Sequence, residues 1–460
     1  MNDSNLGPFA SLTRAPTAGP GPERRIPPTG TRLLVLLSLA ACGFPRPADL
    51  PGDAAVDTPD PGVVLQVSPA GDDANDGLLQ PVKTLKHAIG LAAADARITK
   101  IVLASGTYSA SSGETFPYTV PPDVAIVGPA GGGAVIAGNK TDPGLIVNTG
   151  KLQDLEFEGF MVAITVTGVT ALENMRVRSS ATAIQVETAG RLMVQSLDIA
   201  GTMGACASGI VLNGAASLTA TVLSTRDLGS TLDSREQLGE HEIEISKATI
   251  TGDPSCPQDV MSLAANGALS ISDSILDGGA NGIMLNRTAG AMKVTISDTI
   301  LRNFKADALG GGINSGGSIA LRMTGGELSG NGRGGGEFLT GAWTFDGVVI
   351  RQNAVFGVYL EEGELVMRNC MIIRNGDGVY VLDPRKLDLG TAVDPGNNIL
   401  RDNRNQGLDY NVGLSRIDAE VVGNVWNPGV QGAGNDGRYS SDLTILNKVT
   451  WVVDHRNLAT

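Results

Sequence analysis

Two tyrosines, Tyr359 and Tyr380, occupy the same place in two similar phrases, Gly357-Val-Tyr-Leu and Gly378-Val-Tyr-Val. If the valines of these strands face inward, alternation puts both tyrosines on the outer face, in register with each other. A row of aromatic rings edged by carboxylates and amides can stack on sugar rings and hydrogen-bond their hydroxyl groups. The predicted glycan-binding residues on this face are Phe338, Tyr359, Glu361, Tyr380, Asp409 and Asn411. The alternative is an aromatic ladder that only stiffens adjacent strands.

The carboxylates near this face do not complete a catalytic set. A lyase that acts on uronate polymers uses carboxylates to hold calcium and an Arg or Lys to remove a proton. A glycoside hydrolase uses a pair of carboxyl groups that flank the scissile bond. Glu361, Glu362 and Glu364 lie mostly on a predicted turn. Asp409 has no Asp at the matching place in the preceding phrases, and Arg287 is at least two repeats away. Structural roles are favoured for all of them, and no catalytic residue is assigned.

A short run of oxygen-bearing side chains, Asp72, Asp73, Asn75 and Asp76, precedes Gly77. Such spacing resembles part of a calcium-binding loop, but the bidentate glutamate that closes an EF-hand is absent at the required distance. A hydrogen-bonded turn is the favoured interpretation. We therefore assign no metal site and no cofactor, and calcium is the one alternative that these carboxylates leave open.

The composition excludes several classes of partner. The chain has 460 residues and a formal net charge of −14, so neither a nucleic-acid groove nor a polybasic membrane patch is expected. Glycine contributes 61 residues, whereas aromatic residues make up only 4%. This balance is typical of tightly turning β structure, because turns use positive φ and closely stacked strands favour compact side chains.

The tyrosine phrases belong to a longer internal repeat between Ala268 and Asn411. Glycine followed by aliphatic residues recurs at separations of 21 to 30 residues, and a second phrase recurs between these, as in Ile271-Ser-Asp-Ser-Ile-Leu. Short alternating strands repeated at this period predict a β-solenoid. Glu337 stands in a slot that is aliphatic in the neighbouring phrases, so either the register shifts there or a carboxylate turns inward.

Stacked repeats place equivalent residues above one another, which predicts side-chain ladders. One such column contains Asn303, Asn331, Asn353, Asn375 and Asn403. Their amides can bond to one another from each repeat to the next. Between residues 213 and 260 the sequence does not decide between one repeat and two. The polar segment Thr225–His241 is the predicted excursion from the coil.

The N-terminus predicts export. Residues 1–41 contain arginines, a short apolar run and a small-residue ending, as in a secretory signal peptide that is too short to span a bilayer. The ending, Leu39-Ala-Ala-Cys42, resembles a bacterial lipobox, in which the cysteine is lipidated. The alternative is an ordinary signal peptide with a chance cysteine. Residues 42–62 are rich in Pro, Ala and Asp and predict a flexible tether.

Three further cysteines follow the tether. In an exported protein, a disulfide between Cys206 and Cys256 is expected, because each precedes a similar strand phrase. Cys370 occupies the place that neighbouring repeats give to Ser274 and Thr299, so a small packed thiol is predicted there.

Both ends of the remaining chain resemble a known family. The run VSPAGDDANDG, followed by PVKTLKHAI and IVLASGTYS, resembles the N-terminal module of a domain family of unknown function found on pectin-lyase-like right-handed β-helix proteins. The run LDLGTAVDPGNNILRDNRNQGLDY, with VVGNVWNPG, is similar to the closing segment of that family. The resemblance implies an all-β, single-stranded, right-handed parallel β-helix over residues 63–455, with an N-terminal cap module at 63–130 and a closing segment at 412–455. A short helix that begins after Thr84 would cap the open end. No activity is implied.

Together these patterns predict an exported, lipid-anchored protein of the bacterial cell envelope, specifically an outer-membrane lipoprotein that faces the periplasm or the cell surface. Its partners would be the membrane, through a lipid on Cys42, and a polysaccharide on an outward strand face. The predicted role is non-catalytic. A polysaccharide lyase or glycoside hydrolase is one alternative, and it would need a cleft that brings two carboxylates, or carboxylates and Arg287, to one sugar. A purely structural surface protein or adhesin is the other alternative.

Overall fold

The computed structural model of the protein describes residues 62–234, 239–264, 266–285, 290–311, 318–410 and 419–426. Several features predicted from the sequence lie outside these residues: the signal peptide at 1–41, the lipidation site Cys42, nearly all of the tether at 42–62, Arg287, Asn411 and most of the closing segment at 412–455.

The described chain winds repeatedly through three parallel sheets, which we name A, B and C. One circuit, here called a coil, contributes a strand to sheet A, then to sheet B, then to sheet C. Each strand pairs in parallel with its counterpart in the neighbouring coil, so that successive coils satisfy each other's backbone hydrogen-bonding groups. The predicted parallel β-helix is confirmed.

The described residues place 15 strands in sheet A, 14 in sheet B and 13 in sheet C. The strands of sheet A are Val63–Val67, Ile98–Leu103, Val124–Val127, Gly150–Gln153, Val169–Glu173, Arg191–Val194, Ser217–Ala220, Glu240–Ser246, Asn266–Ser272, Met292–Ser297, Ile319–Thr324, Ala342–Asp346, Glu364–Arg368, Lys386–Asp388 and Ala419–Glu420. The strands of sheet B are Gly106–Tyr108, Ala134–Ala137, Leu155–Glu158, Met175–Arg178, Leu197–Ala200, Leu223–Leu228, Ala248–Gly252, Ile275–Asp277, Ile300–Arg302, Glu327–Ser329, Val349–Arg351, Met371–Ile373, Ile399–Arg401 and Val425–Trp426. The strands of sheet C are Tyr118–Val120, Leu145–Val147, Val162–Val166, Thr182–Val186, Ser208–Leu212, Ser230–Ser234, Asp259–Leu263, Asn281–Leu285, Leu309–Gly311, Gly334–Phe338, Phe356–Leu360, Asp377–Val381 and Leu408–Tyr410. An α-helix spans Leu85–Ala94, and a short 3-10 helix spans Ala110–Ser112.

Alternate residues of the strands point into the coil, and most of these are apolar. In the two tyrosine phrases, Val358, Leu360, Val379 and Val381 are fully buried, as the alternation predicts. Aliphatic side chains suit this interior because in-register stacking brings similar side chains into contact from one coil to the next. The buried apolar residues form one continuous core along the described coils.

Four asparagines form a buried ladder within this core. The side-chain amide of each of Asn331, Asn353 and Asn375 donates to the Oδ1 atom of the next asparagine, at 2.7, 2.9 and 3.1 Å. The last acceptor is Asn403, and all four side chains are at most 2% exposed. A polar group inside an apolar tube needs such partners, because an unpaired one costs about 1–3 kcal/mol. The ladder therefore ties adjacent coils together.

Two expectations about the coil are wrong, and one question that the sequence left open is answered. Asn303 is not part of the ladder, because Phe304 takes the inner position and its N–H donates to Oδ1 of Asn331 at 3.1 Å, whereas Asn303 adopts a positive φ of 59° and is exposed. For residues 213–260, where the sequence did not decide between one repeat and two, the structure has strands of two coils. The described residues of the segment Thr225–His241 belong to strands of the coil, because their charged side chains alternate with buried ones.

The helix Leu85–Ala94 packs against the first coils, and its start is held by two side chains. Thr84 is the N-cap, as predicted, and its hydroxyl accepts a hydrogen bond from the N–H of His87 at 3.1 Å. Glu114, which is 2% exposed, accepts from the first two helical N–H groups at 2.7 and 3.1 Å. A buried carboxylate thus satisfies donors that a helix start leaves unpaired.

The cysteines occupy two different environments. Cys206 and Cys256 form a disulfide, with Cα atoms 5.4 Å apart, between the loops that precede two strands of sheet C. Cys370 is a free thiol that is 1% exposed, and burial raises its pKa to about 12. Ser274 and Thr299 are buried in the matching places, so a small side chain is what this column accommodates.

Replacing Asn353 with alanine tests the ladder. Asn353→Ala removes the acceptor for both the backbone and side-chain N–H groups of Asn331, and it removes a donor to Asn375. We expect a loss of stability on the order of 3 kcal/mol in urea unfolding, because several buried groups lose partners together. Asn405→Ala is the matched control, since that exposed side chain makes one bond of 3.3 Å. Equal losses in both variants would contradict the structural role of the ladder.

Candidate functional site

A strip of polar and aromatic side chains runs along the outer face of sheet C across five adjacent coils. In the strands Phe356–Leu360 and Asp377–Val381, the first residue and the residue three places later supply it, and the neighbouring coils add the other members. We call this surface the acidic–aromatic strip. Its members are Asp307, Arg333, Glu337, Phe356, Tyr359, Asp377, Tyr380 and Asp409.

Tyr359 and Tyr380 lie in register at the centre of the strip, as the alternation predicts. Their strands pair residue by residue, and both side chains are partly exposed. The ring centres are 5.4 Å apart with an interplanar angle of 12°. Nearly parallel rings this close must overlap in an offset stack, so that ring edges, more than open faces, meet solvent. The predicted row of open aromatic faces is therefore a narrower, ridged surface.

Phe338 does not face outward, and that prediction is wrong. The side chain is fully buried and stacks on Trp343, with ring centres 4.1 Å apart. The cause is the run of three glycines that opens its strand. Alignment of the repeated phrases pairs Gly336 with Gly357, whereas in the structure Gly336 pairs with Val358, one residue further along. A Cβ at Gly336 would lie 2.3 Å from the Phe338 ring, so this ring fills the space that the glycine leaves. The shift places Glu337 outward instead, in register with Tyr359.

The remaining predicted glycan contacts have different positions. Glu361 follows the Tyr359 strand and is partly exposed. Asp409 pairs with Tyr380, and its pKa is raised by burial and by the charge of Asp377. Asn411 lies outside the described residues. The structure thus brings Asp409 beside the tyrosine pair and puts Glu361 at its edge.

A buried carboxylate, Asp307, lies at one end of the strip and was missed by the sequence analysis. One nitrogen of Arg333 contacts Oδ2 of Asp307 at 3.4 Å and Oε2 of Glu337 at 2.5 Å. The other terminal nitrogen of Arg333 binds Oε1 of Glu337 at 2.6 Å, which makes a bidentate pair. The guanidinium also lies 5.5 Å from the ring centre of Phe356. Two carboxyl groups therefore share one cation next to an aromatic side chain.

Burial dominates the electrostatics of Asp307. The residue is 2% exposed, and Oδ1 has no hydrogen-bond partner. Burial raises the pKa of Asp307 to about 7, Arg333 acts in the opposite direction, and the charge of Glu337 adds to the increase. A carboxyl group with this pKa can hold or release a proton near neutral pH.

The sequence pattern that marks outward positions is incomplete around Asp307. The first outward position of each strand lies just before the motif glycine, as in Phe356-Gly357 and Asp377-Gly378. Ala308 takes the place of that glycine in the Asp307 coil, since it aligns with Gly282 in the preceding coil. The phrase was therefore not recognisable as a repeat.

Other candidate sites are occupied by local contacts. A groove of about 360 Å³ crosses the outer face of sheet B, where Asp198 is paired with both Arg178 and Arg226. The carboxylates of Asp72, Asp73 and Asp76 accept backbone N–H groups of their own turns or of the helix start, in agreement with the predicted hydrogen-bonded turn. Within the described part of the chain, no group of three or more metal-binding side chains comes together.

The coils define the class of protein to which the chain belongs. Residues 260–427 match the family model described as "Right handed beta helix region". The chain is a right-handed parallel β-helix protein, and the resemblance predicted from its two ends is confirmed. Residues 69–237 match the family described as "Protein of unknown function (DUF1565)". No curated protein matches the sequence.

Several solved structures share the fold at low identity. The catalytic unit of a GH87 alpha-1,3-glucanase from Streptomyces thermodiastaticus strain HF3-3 is 14% identical, with 84% of this chain and 72% of that chain covered and a TM-score of 0.49. The mannuronan C-5 epimerase AlgE6 A-module of Azotobacter vinelandii is 14% identical, with coverage of 75% and 94% and a TM-score of 0.38. Pectate lyase Pel9A is 14% identical, with coverage of 80% and 81% and a TM-score of 0.33. At these TM-scores the likeness carries no argument about activity.

Replacing Asp307 with asparagine is expected to change how stability depends on pH. The folded pKa of about 7 lies above the ordinary value of 3.8, so wild-type Asp307 contributes stability in full below pH 3.8 and loses it as pH rises through about 7. Asp307→Asn lacks this loss. Between about pH 4 and about pH 8, the free energy of unfolding in urea should therefore shift in favour of the variant by on the order of 4 kcal/mol.

The control for this experiment is Asp402→Asn, which removes an exposed carboxylate next to sheet B. It measures the general effect of removing one negative charge. The free energies of unfolding of Asp307→Asn and wild type are compared at both pH values. If their difference is the same at both, folding does not raise the pKa of Asp307.

Proposed function

We propose that the protein binds a polysaccharide along the acidic–aromatic strip while it is anchored by lipid in the bacterial cell envelope. One observation carries this proposal: Tyr359 and Tyr380 lie in register, partly exposed, beside outward carboxylates. Apolar ring edges and polar oxygens together match a sugar, which has an apolar C–H surface and a rim of hydroxyl groups. A solenoid repeats such contacts from coil to coil, which suits a linear polymer.

The charge of the strip favours a neutral polysaccharide over a polyuronate. Glu337, Asp377 and Asp409 face outward, and Glu361 lies at the edge. Arg333 is already paired with Glu337, so its charge is largely neutralised. A uronate carboxylate placed here would meet like charges at short range, which disfavours binding. The same arrangement argues against a lyase for uronate polymers, since such an enzyme needs a cation available to the substrate carboxyl group.

Alanine substitutions of the tyrosines test the binding face. Tyr359→Ala and Tyr380→Ala are each expected to weaken binding to a neutral glucan or galactan by roughly tenfold or more, because each removes the ring that contacts the sugar. Isothermal titration calorimetry against these polymers and against polygalacturonate measures both the loss and the preference for neutral chains. Met193→Ala, a large-to-small change at an exposed position on the outer face of sheet A, is the matched control.

Unchanged binding in the double variant Tyr359→Ala/Tyr380→Ala would remove this face as the binding site. The pair would then be a ladder that stiffens adjacent coils. Preferential binding of polygalacturonate would contradict the argument from charge.

Export and lipid anchoring are the second part of the proposal. The apolar run that ends in Leu39-Ala-Ala-Cys42 supports a lipoprotein signal, and the disulfide between Cys206 and Cys256 suits an oxidising compartment outside the cytoplasm. None of the helices that the structure describes is long and apolar enough to cross a membrane. The Pro-rich stretch that follows Cys42 would then act as a tether between lipid and β-helix, and the protein would be an outer-membrane lipoprotein.

Replacing Cys42 with serine tests the anchor. In a bacterial host, the wild type is expected to incorporate an alkyne-tagged fatty acid and to fractionate with membranes, whereas Cys42→Ser should lose the label and appear in the soluble fraction. The serine variant retains the rest of the signal, so that it separates lipidation from export. A label that persists in Cys42→Ser, or a wild type that stays unlabelled, would contradict the anchor.

A further inference from the structure

We propose that the N-terminal end of the β-helix binds a phospholipid bilayer through Leu78 and Leu79, two exposed leucines on the turn that precedes the capping helix. We call this turn, residues 77–82, the leucine turn. The inference rests on the proposed lipid anchor, because it takes the bilayer that holds the lipid on Cys42 as the partner. It goes beyond the anchor, since it assigns a membrane-binding surface to the folded β-helix.

The two leucine side chains extend into solvent. Leu79 is 91% exposed and Leu78 is 51% exposed. Within the part of the chain that the structure describes, no other two consecutive residues are both large, apolar and exposed. Single exposed apolar residues are ordinary on a protein surface, but an adjacent pair concentrates apolar area at one point. Transfer of that area from water into the acyl region of a bilayer is favourable.

The leucine turn is fixed by contacts that leave both leucine side chains outside. Oδ1 of Asp76 accepts hydrogen bonds from the N–H groups of Leu78 and Leu79 at 2.9 and 3.1 Å. Gly77 adopts a positive φ of 75° and is buried, and a Cβ atom there would lie 3.1 Å from Leu65. A glycine can approach the core this closely, so the backbone holds the turn in place. Because the turn is already ordered, little conformational entropy is lost when it binds.

The leucine turn is the outermost layer at its end of the β-helix. The strand Val63–Val67 is the terminal strand of sheet A, and one of its edges pairs with the strand Ile98–Leu103. The turn covers the other edge: the N–H of Gln66 donates to the carbonyl of Gly77 at 2.8 Å, and the N–H of Val82 donates to the carbonyl of Gln66 at 3.0 Å. A flat bilayer can therefore reach the leucines without meeting the coils behind them.

The chain enters the β-helix at this same end. Gly62, the first described residue, directly precedes the terminal strand. Nineteen residues, 43–61, separate it from Cys42. A flexible chain of this length spans about 25 Å on average, so a lipid on Cys42 would keep the leucine turn close to the bilayer. Binding is then effectively intramolecular, and a contact that is weak by itself becomes populated.

The charge of this end suits a phospholipid surface. Residues 63–100 contain four basic and four acidic side chains, so their formal charges cancel, whereas the whole chain has a net charge of −14. The helix Leu85–Ala94 covers the same end and carries Lys86 and His87 but no carboxylate. Lys83 and Lys86 are exposed and can approach lipid phosphates. An anionic bilayer repels an acidic surface, so a neutral end with exposed lysines is favoured to approach it.

A fluorescent label at the leucine turn tests insertion. Leu79→Cys is introduced into the full, lipidated chain and labelled with an NBD maleimide, and the protein is reconstituted into vesicles of phosphatidylethanolamine and phosphatidylglycerol. The label should react at the new thiol, since Cys370 is buried with its pKa raised to about 12 and Cys206 is bonded to Cys256. We expect a blue-shifted emission that spin-labelled lipid quenches.

Val393→Cys with the same label is the matched control for insertion. Val393 is 94% exposed and lies near the other end of the β-helix, after the strand Lys386–Asp388. Its emission should remain that of a label in water. Equal spectra and equal quenching at positions 79 and 393 would overturn the proposal.

Flotation of the unlipidated chain measures the contribution of the leucines. Cys42→Ser removes the lipid, and binding to the same vesicles then depends on the folded β-helix. Adding Leu78→Asn and Leu79→Asn should lower the partition coefficient by roughly tenfold or more, because two apolar side chains become polar. Val355→Asn with Val393→Asn is the matched control, since these side chains are 48% and 94% exposed. Thermal unfolding followed by circular dichroism checks that every variant is folded.

The results separate this inference from the proposed anchor. A lipidated chain whose label at position 79 stays in water would overturn the leucine turn and leave the anchor standing. A wild type that carries no lipid but binds vesicles through the leucines would overturn the anchor and leave the leucine turn standing. Dimers that the leucine substitutions abolish, without any vesicle binding, would identify the surface as a contact between two copies and overturn the membrane contact.

Discussion

Parallel pairing between coils is the constraint on which the rest of the structure depends, because each coil satisfies its backbone groups on its neighbours. In-register pairing stacks equivalent positions on top of one another. Inside, polar side chains are tolerated where they bond along the column, as the asparagine ladder does. Outside, the same stacking aligns Tyr359 with Tyr380 and brings Asp307 and Glu337 to one guanidinium group.

The fold could be predicted from the sequence because it needs only the period of the repeat, whereas a site needs the register to a single residue. The tyrosine strands kept their register, since one glycine and two aliphatic residues mark each of them. Phe338 could not be placed in this way. Three consecutive glycines precede it, and the match is decided by packing: the ring fits the space at Gly336 and stacks on Trp343.

Asp307 could not be predicted for a related reason. Ala308 replaces the glycine that marks the neighbouring strands, so the sequence does not show that Asp307 faces the strip. Asp307 and Phe356 both lie close to Gly334, and the ion-pair partner of Asp307 is Arg333, which lies 26 residues further along the chain. No local pattern contains these contacts. Asp307, Arg333 and Phe356 come from three adjacent coils, so the burial and the ion pair of Asp307 arise only when these coils stack in the folded chain.

The capping helix has a consequence for assembly. The uncovered end of a parallel tube is a template to which the first strands of another copy can add, and head-to-tail addition of this kind continues into a filament. Here the helix Leu85–Ala94, with its start held by Glu114, lies against the strands of the first coils. The helix therefore covers strands that another copy would otherwise extend, which opposes growth from that direction.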